Sequence, residues 1–142
     1  MKKTFLALFV IAWAALAPAP SAFAETAAAG GKVTAYYFHG SFRCPTCRNL
    51  EAYSKEAIER NFKDPLASGA LEFRAVNVEE KENGHYAKSY QLYTKSLVLS
   101  LVRDGKEVRS KNLAKIWELV RDKQKFIAYV TEETRAFLEG AS

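Results

Sequence analysis

The sequence has little of what several common kinds of functional site require. Its two cysteines lie so close together that a bond between them closes too small a loop to staple a fold. No Ser-His-Asp arrangement and no paired-carboxylate site is visible, so the commonest hydrolase patterns are missing. No Gly-x-Gly-x-x-Gly segment occurs either. We therefore expect no nicotinamide, no flavin and no other cofactor.

The overall charge is also modest. The formal net charge is +5, and two of the positive charges are Lys2 and Lys3 at the extreme amino terminus. Such a weak excess does not indicate binding to nucleic acid or to acidic lipid. We therefore expect a protein that has no nucleic-acid partner.

The amino terminus has the pattern of a secretory signal peptide. Lys2 and Lys3 precede an apolar run at 5–17, and Ala22-Phe23-Ala24 forms a small-residue cleavage site. The apolar run is shorter than the roughly 20 residues that span a membrane. We predict that residues 1–24 are a signal peptide, cleaved after Ala24.

Cleavage would release a periplasmic or secreted protein that is not a stable membrane protein. Residues 25–32 are rich in Ala and Gly, so we predict a disordered leader there. Residues 33–142 then form one domain, which is long enough for its own core. Export places the cysteines in an oxidising compartment, where disulfides persist.

Both cysteines fall in the segment Arg43-Cys44-Pro45-Thr46-Cys47-Arg48, between an apolar run and a helical pattern. With Cys44 as the helix N-cap, Pro45 takes the first helical position, where its fixed φ suits a helix start. Cys47 then lies one turn on, on the same helix face as Cys44, within disulfide distance. This spacing at a strand-to-helix junction is typical of redox-active sites.

The same position favours ionisation of Cys44. The free N–H groups of the first turn, the helix dipole and the charges of Arg43 and Arg48 all stabilise a thiolate. We predict that Cys44 attacks and Cys47 resolves a mixed disulfide with a protein or small-molecule thiol or disulfide client. A membrane or periplasmic redox partner would then restore the starting state.

Two other interpretations remain open. Two thiolates also suit Cu(I) or As(III), with Cys44 and Cys47 as ligands and His39 as a possible third ligand, although a histidine in such a position is more often an ordinary loop residue. The pair could instead form a permanent disulfide in a non-catalytic interaction domain. The other histidine, His85, starts a helix away from the motif and is expected to be structural or exposed.

The rest of the chain alternates strand and helix patterns. Asp104-Gly105 is a hairpin signal, and the charged strand after it is typical of a sheet edge. The strands are predicted at 33–38, 71–78, 96–102 and 106–111, the helices at 45–62, 85–91 and 113–138 with Asp122 as an internal cap, and loops at 64–69 and 79–84. Trp117 is expected in the core, and the charge pairs Glu51–Lys55, Lys55–Glu59 and Glu56–Arg60 on a solvated helix face.

This β-α-β-α-β-β-α order, with Cys-x-x-Cys after the first strand, resembles the thioredoxin fold. The resemblance implies an α/β domain with a four-stranded mixed sheet in the order 2-1-3-4 and helices on both faces. More narrowly, the runs at 37–48 and 90–96 are similar to those of an exported family described as nitrophenyl compound nitroreductase subunit ArsF.

The sequence departs from the thioredoxin pattern at two places. The superfamily carries a cis-proline before the third strand, whereas this chain has Tyr93-Thr94-Lys95-Ser96 there. The buried carboxylate beneath the thiols also has no match, because the first strand is uncharged. The resemblance places Thr94 and Lys95 opposite Cys44, where Lys95 either supports a thiolate or points to solvent.

Overall fold

A computed structural model describes residues 31–141 of the chain. The predicted signal peptide and the leader up to residue 30 lie outside the described residues. The elements follow in the order β1 (Lys32–His39), α1 (Pro45–Asn61), α2 (Lys63–Ala67), β2 (Leu71–Asn77), α3 (Gly84–Ser89), β3 (Ser96–Arg103), β4 (Lys106–Asn112), α4 (Ile116–Leu119) and α5 (Lys123–Glu139).

The four strands form one mixed sheet in the order β2-β1-β3-β4. Strand β1 pairs in parallel with β2 and antiparallel with β3, so it occupies the centre of the sheet. The backbone N–H and C=O groups along both edges of β1 are hydrogen-bonded to β2 and β3, and helices cover both faces of the strand. This is the thioredoxin-like architecture, with the strand order that was predicted.

One face of the sheet is covered by α1 and α5. Alternate residues of β1 and β3 point to this side and pack with the apolar stripes of both helices. The resulting core is mainly aliphatic; its members include Val33, Ala35, Tyr37, Leu97, Leu99 and Leu101 from the strands and Leu50, Ile58, Phe126, Val130 and Phe137 from the helices.

The opposite face is covered mainly by α3 and is smaller and more aromatic. Phe38, Val76 and Val98 are its buried apolar residues, and the half-buried rings of Tyr86 and Tyr90 pack on them. Tyr36 stacks on Phe38 with ring centroids 5.3 Å apart. The helices therefore cover both faces, but with cores of different size and chemistry.

The β3–β4 hairpin forms at the predicted turn. Asp104 and Gly105 both have positive φ, 50° and 74°, which a type I′ turn requires and which Asp-Gly provides at low cost. Strand β4 is exposed along its whole length and lies at the sheet edge. Its charged side chains are of the kind that protect an edge from pairing with another chain.

The structure corrects several local predictions. The segment after α1 is the short helix α2 rather than a loop, because Pro65 lies in its first turn, where a missing N–H costs nothing. The final helical region is split into α4 and α5, and Asp122 caps α5 as predicted. Residue Leu113 precedes α4 and continues the sheet through a 2.8 Å hydrogen bond from its N–H to the carbonyl of Leu97.

Within residues 31–141, no helix combines the length and the apolar character that crossing a membrane requires.

Candidate functional site

The two cysteines lie where β1 hands the chain to α1. Cys44 is the N-cap of α1, Pro45 follows at its start, and the backbone N–H of Cys47 donates to the sulfur of Cys44 over 3.1 Å. The helix therefore begins as the sequence predicted. An amide N–H aimed at this sulfur, at the positive end of a helix, is the arrangement that stabilises a thiolate.

The two sulfurs have different surroundings. Cys44 is partly exposed, whereas Cys47 is 2% exposed and belongs to the buried residues. They are joined in a disulfide, with Cα atoms 5.0 Å apart. Cys44 is therefore accessible from solvent, whereas the sulfur of Cys47 is shielded.

Beneath the pair lies Tyr37 of β1, which is fully buried. Its hydroxyl donates to the backbone carbonyl of Cys47 over 2.8 Å. Burial raises the pKa of Tyr37 to about 12, against the opposing effect of the Arg43 charge, so this group is a neutral donor at ordinary pH. The role of Tyr37 was not predicted from the sequence, because Thr34 and Tyr36 of the same strand also carry hydroxyls and nothing in the sequence shows which of them reaches the motif.

Arg43 does not stand free beside the thiols. Its guanidinium pairs with the carboxylate of Glu51, one turn beyond Cys47 on α1. One terminal nitrogen also lies 3.2 Å from Nδ1 and 3.3 Å from Nε2 of His39. A single atom cannot align with both ring nitrogens, so the guanidinium lies over the imidazole. The predicted Glu51–Lys55 pair is therefore wrong, because Glu51 turns to Arg43 instead.

The other predicted charge pairs of α1 are present. Lys55 lies 3.7 Å from Glu59, and Arg60 lies 2.7 Å from Glu56. Glu56 also binds Lys123 of α5 over 2.8 Å, and these cations lower the pKa of the Glu56 carboxyl. Such exposed pairs contribute little to stability, and they lie away from the cysteines.

The loop from Gly40 to Phe42, which precedes Cys44, is held by the last residue of β2 and by a residue just after that strand. The N–H of Ser41 donates to the Glu79 carboxylate over 3.0 Å, and Asn77 donates to the Ser41 hydroxyl over 3.2 Å. A Cβ at Gly40 would collide with the Glu79 side chain. Because those atoms are the flexible end of the Glu79 side chain, a larger residue at position 40 would displace the carboxylate that accepts from Ser41.

The loop before β3 lies across a crevice from His39 and Gly40, and Tyr93, Thr94 and Lys95 line it. Hydrogen bonds hold this loop through its backbone: the Ser96 hydroxyl donates to the Thr94 carbonyl over 3.0 Å. No hydrogen bond joins Thr94 or Lys95 to a cysteine within the described residues. All peptide bonds of residues 31–141 are trans.

Trp117 of α4 was expected in the core but is 38% exposed. Its indole N–H donates to the Lys95 carbonyl over 2.8 Å, and this bond explains why the ring lies at the surface. Trp117 also lines a groove of about 530 Å³ together with Thr46 and Asn49 of α1. The tryptophan therefore connects the loop before β3 to the side of the thiol motif.

Two further aromatic side chains are exposed, one in the loop before Cys44 and one in the loop before β3. Phe42, two residues before Cys44, is 75% exposed, and Tyr93 is 94% exposed. Arg48, the second arginine of the motif, is also exposed. The residues that flank the two cysteines in the chain therefore expose one aromatic ring, that of Phe42, and one cation, that of Arg48.

The structure brings Arg43, Pro45 and the two cysteines together. It also places His39 next to Arg43, and leaves His85 exposed on α3, with its ring tilted by 35° against that of Tyr86 and the centroids 4.1 Å apart. Among residues 31–141, no three His, Cys, Asp or Glu side chains are grouped as a metal site would need.

No family model matches the sequence, and no curated protein matches it either. Among solved structures, the chain is similar to Fasciola hepatica thioredoxin, at 21% identity over 68% of this chain and 83% of that chain, with a TM-score of 0.41. A Schistosoma mansoni thioredoxin pre-protein gives 19% identity over 69% and 82%, with a TM-score of 0.39.

A thioredoxin from Thermus thermophilus gives 20% identity over 63% of this chain and 72% of that chain, with a TM-score of 0.34. Such likenesses concern the fold alone. The thioredoxin-like class of this chain stands on its own strand order and connections.

Proposed function

We propose that the protein is an exported thiol–disulfide oxidoreductase in which Cys44 attacks and Cys47 resolves. The observation that carries the proposal is the position of Cys44: it caps α1, is partly exposed and receives the N–H of Cys47 on its sulfur. This position favours the thiolate over the thiol, and the thiolate is the form that attacks a disulfide. The buried Cys47 sits one turn away, bonded to it.

In the reducing direction, the Cys44 thiolate attacks one sulfur of a client disulfide. The client S–S bond breaks, and its second sulfur leaves with the electron pair and takes a proton from water. Cys47 then loses its proton to water and attacks Cys44, and the first client sulfur leaves in the same way. The client gains two electrons, and the protein is left with its own disulfide; the oxidising direction is the reverse.

The partners of this reaction are proposals as well. The client is a protein or a small molecule that carries a thiol or a disulfide, and a membrane or periplasmic redox partner resets the pair. Periplasmic or secreted location follows from the predicted signal peptide at 1–24. Membership of the exported family described as nitrophenyl compound nitroreductase subunit ArsF rests on the residue runs at 37–48 and 90–96.

The test is to trap the mixed disulfide. In Cys47→Ser the attack by Cys44 can proceed, but resolution cannot, so a client should remain covalently bound to Cys44. Mass spectrometry of the trapped complex from an exporting host identifies both the client and the mature amino terminus. A start at Glu25 is expected, and an intact Met1 would contradict export.

The matched control is Cys44→Ser, which keeps Cys47 but should trap nothing. The mature wild type should also turn over in an insulin-reduction or thiol-oxidation assay, and the double Cys→Ser variant should not. Equal rates for wild type and double variant would reject the proposal. Stoichiometric metal lost on Cys→Ser substitution, or a reduction potential below about −300 mV, would point instead to metal binding or to a permanent disulfide.

A further inference from the structure

Tyr37 is a buried ionisable residue for which the reaction described above has no use. It lies on the central strand β1, is 0% exposed, and its ring packs in the core beneath α1. Its hydroxyl reaches the peptide of the buried cysteine, donating to the Cys47 carbonyl over 2.8 Å. A buried phenol with one partner of this kind is placed to hold that partner, because leaving it unpaired would be costly.

We propose that Tyr37 is a positioning residue for the resolving cysteine: it fixes the Cys47 peptide to the sheet, so that the Cys47 sulfur stays facing Cys44 after the disulfide opens. The inference rests on the proposed function. Tyr37 speeds the second step, in which Cys47 attacks Cys44 and the disulfide of the protein forms. It does not affect the first step, the attack of Cys44 on the client.

This hydrogen bond from Tyr37 to the Cys47 carbonyl, here called the tether, is needed when the two cysteines are reduced. The disulfide then no longer links Cys44 to Cys47, and the first turn of a helix is where hydrogen bonds are fewest and fraying is easiest. The Tyr37 bond involves no sulfur, so reduction does not remove it. A sulfur held in place reacts as an intramolecular neighbour, whereas one on a frayed turn loses part of that advantage.

The tether is also independent of pH over the working range of a thiol. Burial raises the pKa of Tyr37 to about 12, so the hydroxyl remains a donor while both thiols titrate. A carboxylate in the same place would change its charge and its hydrogen bonding as it titrated. A neutral phenol therefore holds the Cys47 peptide without adding a charge beneath the sulfurs.

The adjacent Tyr36 provides a matched control. Tyr36 lies in the same strand, but its side chain points to the opposite face of the sheet, where it stacks on Phe38 and contacts Tyr86. Tyr36→Phe and Tyr37→Phe remove the same atom from neighbouring positions. Only the second removes a bond to the thiol-bearing turn.

The experiment uses the reduced mature protein and an aromatic disulfide, dithiobis(nitrobenzoate), as probe. Attack by Cys44 releases one nitrothiobenzoate at a rate that rises with probe concentration. Closure by Cys47 then releases a second one at a rate independent of probe concentration. Tyr37→Phe should slow the second phase by about threefold to tenfold, the range set by one hydrogen bond, and leave the first unchanged. Tyr36→Phe should leave both phases unchanged.

Each outcome decides the matter. A second phase that is unaltered in Tyr37→Phe overturns the positioning role while leaving the proposed function intact. A wild type that shows no second phase rejects the proposed function and this inference with it. Equal slowing of both phases, or equal slowing by Tyr36→Phe, would indicate a general loss of structure and overturn the inference.

A measurement on the wild type covers the case in which Tyr37→Phe does not fold. The Tyr37 hydroxyl proton is buried and bonded, so it should exchange slowly enough to be seen by nuclear magnetic resonance, with a cross-peak to amide protons of the first turn of α1. The proposal requires this signal in both the oxidised and the reduced protein. Its loss on reduction would overturn the proposal.

Discussion

The neighbours Tyr36 and Tyr37 show how different the two faces of the sheet are. Tyr37 points into the large aliphatic core under α1 and α5, where it is buried and bonded to the thiol-bearing turn. Tyr36 points to the small core under α3, among half-buried aromatic rings. The first face supports α1 directly beneath the cysteines, and the second mainly closes the opposite side of the sheet.

The difference teaches where rigidity is needed. A helix that must present one sulfur and bury its partner requires a closely packed base, and Leu50 and Ile58 of α1 supply it on the first face. The α3 face contains rings that keep some exposure and can rearrange, together with buried hydroxyl residues such as Ser100. A packing defect should therefore lower the free energy of unfolding more beneath α1 than beneath α3.

The largest effect is expected for valine-to-alanine substitutions, which we compare on the two faces of the sheet. Val33→Ala opens a cavity in the aliphatic core, and we expect it to lower the free energy of unfolding by about 2–3 kcal/mol. Val98→Ala lies against the half-buried tyrosines, which can move into the space, so the loss should be about 1–2 kcal/mol. Urea unfolding of the oxidised domain measures both. A larger loss for Val98→Ala than for Val33→Ala would refute the proposed difference between the faces.

The second prediction concerns the carboxylate that α1 contributes beside the thiols. Glu51→Gln removes the counter-charge of Arg43, so the free guanidinium should stabilise the Cys44 thiolate more strongly. The pH midpoint for alkylation of Cys44 in the reduced protein should fall by a few tenths of a unit to about one unit. Glu59→Gln, in an exposed pair on the same helix, is the control and should give the wild-type midpoint. An unshifted midpoint in Glu51→Gln would mean that Arg43 does not act on Cys44.

The smallest effect should come from the exposed carboxylate that follows β2. Hydrogen bonds from Ser41 lower the pKa of Glu79 below its ordinary value of 4.5. Because the folded-state pKa of Glu79 is lowered, the hydrogen bond from the Ser41 N–H to the ionised Glu79 carboxylate is fully formed above the ordinary pKa. It is lost as the pH falls through the folded-state pKa. The Ser41 amide resonance should therefore titrate with a midpoint below 4.5.

Glu79→Gln provides the comparison for this titration, because an amide cannot lose a charge in that range. The Ser41 resonance should then lose its acid titration, while the unfolding free energy changes little because the group is exposed. A Ser41 titration that persists in Glu79→Gln would show that another group controls the loop.

Much of the fold was readable because local patterns agreed with one another. Cys44 as helix cap, Asp104-Gly105 as hairpin turn and Asp122 as the cap of α5 are all set by short-range backbone chemistry, and all three are present. Trp117 was placed wrongly because an apolar stripe does not reveal a distant carbonyl, that of Lys95, which holds the indole at the surface. Helix α2 was missed because Pro65 indicates a turn and a helix start equally well.

In the candidate site, too, some features were set by the local sequence and others by tertiary packing. The sequence alone determined that two thiols meet at the start of a helix, since their spacing and the proline between them suffice for that geometry. Only the tertiary structure decided that Glu51 neutralises Arg43, that Glu79 braces the loop before Cys44 and that Tyr37 reaches the Cys47 carbonyl. These contacts join residues whose choice of partner depends on how strands and helix are stacked, and one-dimensional spacing does not specify that stacking.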